Sequence, residues 1–234
     1  MSAQWGSRAA VHAVLADENR LAVLHHVALG DRTPKEISGA LDIPQPLLSH
    51  HLKVLTEAGL IARTPSEHDR RQHFVTLRTG AWGFLDREWM RAQVGESKRR
   101  VVFACTQNSA RSVLASALWT QRTRTLSAAG GTSPGARIHP STRRVARRHE
   151  LSLLQRRPIA LSEVLRQDDL LVTVCDAADA QLTNHPHRLH WSIPDPATSP
   201  DPVAFDRVLA TLNERIDRLE AALTPPREER TNDG

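Results

Sequence analysis

The chain has 234 residues, room for two domains of ordinary size but not for three. No apolar run approaches the ~20 residues of a membrane span, and a net charge of +5 suits a polyanionic partner. Two cysteines, Cys105 and Cys175, are too few for a disulfide scaffold, and tyrosine is absent.

The opening Met1-Ser2-Ala3-Gln4-Trp5 lacks the basic-then-apolar pattern of a secretory signal, so a cytoplasmic protein is expected. In that compartment a cysteine pair is more often catalytic or redox-active than structural. The rhythm of the chain divides it in two. Residues 1–94 read as short helices, a hairpin and a further helix. Residues 95–99 are a polar, charged linker, residues 100–224 alternate strand and helix, and residues 225–234 form a disordered tail.

In the first half, Thr33-Pro34-Lys35-Glu36 is a helix start: a cap, a proline at the first helical position and the acid of a capping box. Ile37 and Leu41 face inward, and Asp42-Ile43-Pro44 turns the chain. A second helix runs from 45 to about 58, ended by Gly59. Leu48, Leu52 and Leu55 share its apolar face; Pro46, Ser49, His50, Lys53 and Glu57 share the other. Two short helices across a tight turn make a helix-turn-helix, whose second polar face enters a major groove. Strands at 60–64 and 72–77 flank a polar loop, 65–71, with Arg70 and Arg71 at its end. That loop is a wing, able to reach phosphate or the minor groove. The expected DNA contacts are Gln45, Pro46, Ser49, His50, Lys53, Arg70 and Arg71. His25-His26 and His50-His51 suggest a metal, but helical neighbours point about 100° apart, so neither pair makes a two-ligand site and no metal is expected. His50 is expected to face DNA and His51 the interior.

Asp17-Glu18-Asn19-Arg20-Leu21, Ser49-His50-His51-Leu52-Lys53-Val54-Leu55 and Glu57-Ala58-Gly59-Leu60-Ile61 resemble the arsenical-repressor (ArsR-like) winged-helix family, over roughly residues 8–92. The resemblance implies a homodimer on an inverted-repeat operator, with the first and last helices as its seam. Val11, Val14 and Leu15 on one side and Trp82, Leu85 and Trp89 on the other offer suitable stripes; packing within one subunit is the plainer alternative. This half has no cysteine, which excludes arsenite sensing through thiolates there.

The second half begins Val101-Val102-Phe103-Ala104-Cys105-Thr106-Gln107-Asn108-Ser109-Ala110-Arg111-Ser112: an apolar strand, a small polar loop, and a helix starting near Ser109. Loop amides from Thr106, Gln107, Asn108, Ser109 and Ala110 can cradle a tetrahedral oxyanion. The helix N-terminus adds positive potential, and Arg111 adds a bidentate fork. The same field favours the Cys105 thiolate. Ser112 can donate to the sulfur, and the Asn108 amide can hold the loop. Asp195, in Trp191-Ser192-Ile193-Pro194-Asp195-Pro196-Ala197, can act as general acid. Cys175 directly follows a buried strand and belongs on the same sheet edge as Cys105. Gly130-Gly131-Thr132-Ser133-Pro134-Gly135 rims the site, and Arg143, Arg144, Arg147 and Arg148 form a basic helix face.

These segments, with Ser127-Ala128-Ala129-Gly130 and Thr173-Val174-Cys175-Asp176, resemble the low-molecular-weight phosphatase fold and its arsenate-reductase branch, over about residues 99–222. The resemblance implies an α/β domain with a parallel four-stranded sheet. Phosphotyrosine-directed members follow the Asp-Pro with tyrosine; here Ala197 stands there, which favours a small inorganic oxyanion. Cys105 then attacks arsenate, Asp195 protonates the departing oxygen, and Cys175 displaces arsenite to leave a disulfide. No third cysteine follows in 177–182, so an external thiol, thioredoxin or mycothiol with mycoredoxin, must complete the cycle; no tightly bound cofactor is implied. Cys175 as an inert buried thiol is the alternative. Two other readings stay open: a pure regulator whose phosphatase-like domain senses an oxyanion or thiol state, and a phosphatase carrying a DNA-binding domain.

Overall fold

The computed structural model describes residues 2–94 and 99–223; most of the expected linker (95–98) and all of the expected tail lie outside the described residues. The first half is α1 (Ser2–Leu15), α2 (Glu18–His26), α3 (Pro34–Leu41), α4 (Gln45–Glu57), a hairpin of β1 (Ile61–Pro65) and β2 (His73–Leu77), a 3₁₀ segment (Thr79–Phe84) and α5 (Arg87–Val94). Local chemistry sets these boundaries. The Thr33 hydroxyl accepts from the Glu36 amide (3.2 Å) and the Glu36 carboxylate from the Thr33 amide (2.7 Å), closing the capping box of α3. Gly59, at φ +70°, ends α4 in the left-handed region that a side chain resists. Leu48, Leu52 and Leu55 of α4 are buried with Val23, Leu24, Ile37, Ile61 and Val75. His51 is buried beside Asp17, and His50 is exposed.

The second half is β3 (Val101–Cys105), α6 (Arg111–Thr123), β4 (Ala128–Gly131), α7 (Pro140–Arg148), α8 (Leu161–Val164), β5 (Leu170–Thr173), α9 (Asp176–Gln181), β6 (Arg188–His190) and α10 (Ala204–Leu223). Its four strands are parallel in the order β4-β3-β5-β6. Every residue of β3 is buried because both faces are covered. Val101, Phe103 and Cys105 pack with α6 and α10, while Val102 and Ala104 pack with Leu161 and Leu171.

The packing does not stop at the junction of the halves. Ala28, Leu29, Met90 and Val94 are buried in the same apolar cluster as the parallel sheet. The Trp191 indole donates to the Leu29 carbonyl (2.8 Å), and the Asp31 amide donates to the His190 carbonyl (2.7 Å). Asp31 also receives the Ser192 amide (2.8 Å) and a buried ion pair from Arg215 (2.8 Å). Gly30 suits this close approach, since a Cβ there would sit 3.2 Å from the His190 carbonyl oxygen. Arg218 donates to the Leu77 carbonyl (3.2 Å), and burial lowers its pKa to about 10.

This docking changes the reading of the proposed dimer stripes. Val11, Val14 and Leu15 pack against the first core, and Trp82 and Leu85 pack against both cores. Of the six, Trp89 is the exposed one, at 39%, and its ring lies 4.7 Å from that of His25. Five of the six stripe residues are thus partly covered within one chain, Trp82 and Leu85 by both halves.

Candidate functional site

The loop after β3 is built from two sides. After Cys105 the chain stays non-helical through Ala110, and α6 starts at Arg111, two residues later than the sequence suggests. Asn108 adopts φ +50°, which turns its amide onto the Cys105 sulfur at 3.2 Å. Its side-chain amide donates to Ser112 Oγ at 2.9 Å, leaving the Ser112 hydroxyl proton for Cys105 Sγ at 3.1 Å. Its side-chain oxygen accepts from the Ile159 amide (2.9 Å) and from Gln155. From outside, the loop after β4 pins the carbonyls of the cradle. The Thr132, Ser133 and Gly135 amides donate to the carbonyls of Cys105, Thr106 and Gln107 at 3.1, 2.9 and 2.9 Å. This contact requires Gly131, where a Cβ would fall 2.7 Å from the Thr106 carbonyl oxygen.

Cys105, Thr106, Gln107, Ser109, Ala110, Arg111, Cys175 and Asp195 line one cavity of about 830 Å³. Arg111 is buried, donating to the Ile193 carbonyl (2.8 Å) and to Asp195 Oδ2 (3.0 Å). Asp195 Oδ1 is held by the Ala197 amide at 3.0 Å. Cys175 precedes α9 with its sulfur 3.5 Å from Thr106 Oγ1. Burial pushes the Cys175 thiol above its usual range, against the opposing pull of Arg111. Behind it, Asp176 bonds His190 Nε2 at 3.1 Å. Burial alone would raise the Asp176 carboxyl, but hydrogen bonds from His190, Ser192 and the Glu67 amide hold it below the usual value.

The sequence gives no sign of Glu67, which arrives from the wing. Its Oε2 lies 3.5 Å from Arg111 Nη1, and its two oxygens accept from the Asp195 amide at 3.1 and 3.0 Å. Its own amide donates to Asp176 Oδ2 at 2.7 Å. Gln155 and Ile159 were equally invisible, being an ordinary loop amide and a backbone group. The residues predicted for the DNA surface separate. Gln45, Pro46, Ser49, His50 and Lys53 are exposed on α4. Arg71 is exposed but paired with Asp69 at 3.0 Å, whereas Arg70 lines the mouth of the catalytic cavity. Arg143, Arg144, Arg147 and Arg148 are exposed on α7. Among the described residues no His/Cys/Asp/Glu group could hold a metal, and no helix is long and apolar enough to cross a membrane.

Comparison with known proteins assigns both halves. Residues 17–63 match the family described as bacterial regulatory protein, arsR family, and residues 100–229 match low molecular weight phosphotyrosine protein phosphatase. An arsenate reductase of Bacillus cereus (strain Q1) is 32% identical over 131 residues, covering 53% of this chain and 96% of the relative. One from Brevibacillus brevis is 30% identical over 132 residues, with the same coverage. Among solved structures, an arsenate reductase from Archaeoglobus fulgidus is 31% identical, with a TM-score of 0.45, covering 51% of this chain and 98% of its own. HlyU from Vibrio cholerae is 25% identical, with a TM-score of 0.33, covering 36% of this chain and 89% of its own. The chain belongs to the low molecular weight phosphotyrosine protein phosphatase family and carries an arsR-family helix-turn-helix domain ahead of it.

Proposed function

We propose that the chain is a DNA-binding transcriptional repressor joined to a thiol-dependent arsenate reductase. The observation that carries the catalytic half is the convergence of Cys105, Arg111, Asp195 and Cys175 on one cavity whose loop already directs an amide and a hydroxyl at the Cys105 sulfur. Arsenate is held by the loop amides and by Arg111, which must turn part of its fork from Asp195 to the anion. The Cys105 sulfur bonds arsenic, and one arsenate oxygen leaves as water with Asp195 as proton donor. Cys175 then attacks the Cys105 sulfur. The electron pair of the S–As bond stays with arsenic, which departs as arsenite, reduced by two electrons, while Cys105 and Cys175 become a disulfide. Thioredoxin then reduces that disulfide; in the alternative route a small thiol such as mycothiol, with mycoredoxin, resolves the Cys105–arsenic adduct in place of Cys175. The relatives named arsenate reductase, covered over 96% of their length, support this reading.

The exposed polar face of α4 supports operator recognition through Gln45, Pro46, Ser49, His50 and Lys53, with the wing arginines on the backbone. We assign the protein to the cytoplasm and take the operator-bound form to be a homodimer. Arsenite production by the purified chain, supplied with each thiol system, tests the catalytic half. A Lys53→Ala variant tests the other: operator affinity falls, and its salt dependence is reduced by about one unit of slope.

A further inference from the structure

The wing tip reaches into the catalytic mouth. Ser66 is buried, and its hydroxyl oxygen accepts from the His68 and Asp69 amides (3.1 and 3.3 Å), which folds the tip over. The fold presents Glu67 to the cavity and Arg70 to its rim. Arg111 then faces two carboxylates, Glu67 through Nη1 and Asp195 through Nη2, while Nη1 also donates to the Ile193 carbonyl. Around Arg111 itself two carboxylates share one guanidinium, so the immediate surroundings of that cation carry an excess negative charge. An arriving oxyanion meets that charge and needs the same guanidinium. Asp195 is held from within its own domain, by the Ala197 amide on Oδ1 at 3.0 Å. Glu67 comes instead from the wing of the other domain; four polar contacts to Arg111, Asp176 and Asp195 hold it, and its side chain is 47% exposed.

Resting on the reading of Cys105–Ser112 as an oxyanion site, we propose that Glu67 is an internal anionic occupant of that site, carried on the wing. An oxyanion seated on Arg111 and a docked wing then exclude each other. Binding of the anion frees the loop that carries Arg70 and Arg71. By linkage, whatever displaces the wing opens the anion site in the same proportion. The half-exposed ion pair sets the scale, about two- to fivefold in affinity.

The test uses the full chain in a Cys105→Ser background, which prevents turnover, with and without Glu67→Gln. The glutamine keeps the size of the side chain and its acceptor for the Asp195 amide but removes the charge. Arsenate affinity is measured by calorimetry, and amide exchange of residues 66–72 is followed with and without saturating arsenate. The proposal expects tighter arsenate binding in the Glu67→Gln chain and faster exchange of the Glu67 amide once arsenate is bound to the parent. Equal affinities with unchanged exchange would overturn the proposal and leave the oxyanion site intact. Absence of arsenate binding in both chains would overturn the proposal and the site reading together. Should the glutamine disturb folding, Glu67→Asp, which shortens the reach but keeps the charge, is expected to give a smaller gain in the same direction.

Discussion

At the residue scale, the catalytic loop depends on one asparagine more than on its other polar members. Asn108 holds the left-handed turn, the sulfur, Ser112 and the Ile159 amide together. Asn108→Ala leaves a buried amide unpaired and puts a β-carbon side chain without local hydrogen bonding at φ +50°. It is expected to cost about 2 kcal/mol of stability, read by denaturant titration, with a larger proportional loss of turnover. Cys175 sets the pH behaviour. Its raised pKa leaves it mostly protonated at neutral pH, so the step in which it attacks Cys105 accelerates as pH rises through and beyond the ordinary thiol range. Single-turnover disulfide formation followed against pH checks this; a rate already flat at neutral pH contradicts it. The cradle was legible in the sequence because Cys-x5-Arg after an apolar strand is a local pattern. Glu67 was not, because nothing local distinguishes an acid in a polar loop whose partners lie 44 and 128 residues away.

At the scale of elements, helix starts and stops were readable wherever a cap decides them, as at Thr33 and Gly59. The start of α6 was misplaced because 106–110 has helix-compatible residues but must wrap a cavity. The joint between the halves had no signature at all. Besides the shared apolar cluster, it uses polar pairs such as Asp31 with Arg215, 184 residues apart, and backbone groups that carry no periodicity. Asp31→Ala leaves Arg215 charged and buried without its partner. A loss of about 3–5 kcal/mol is expected, seen as a lowered Tm in calorimetry. Acid weakens the same joint. Asp176 is ionised below its usual range in the folded chain, so its contribution is present at neutral pH and is lost as pH falls beneath the ordinary carboxylate range. Faster amide exchange at Glu67 under those conditions is the corresponding readout.

For the whole molecule, the two halves share one apolar cluster, with Leu29, Met90 and Val94 packed beside the parallel sheet. One cooperative unfolding transition is therefore expected; two well-separated transitions would contradict the shared core. The stripes first read as a dimer seam illustrate what a sequence withholds. Apolar spacing shows that a face is covered but not by what, and here much of the cover comes from the same chain. The central claim is a two-cysteine relay, and the most direct measurement is arsenite formed from arsenate by the purified wild-type, Cys105→Ser and Cys175→Ser chains, each with thioredoxin and with the mycothiol system. Turnover is expected in the wild type and its loss in both variants when thioredoxin is the reductant. Arsenite production that survives Cys105→Ser, or a wild type that binds arsenate yet reduces none with either thiol system, would contradict it.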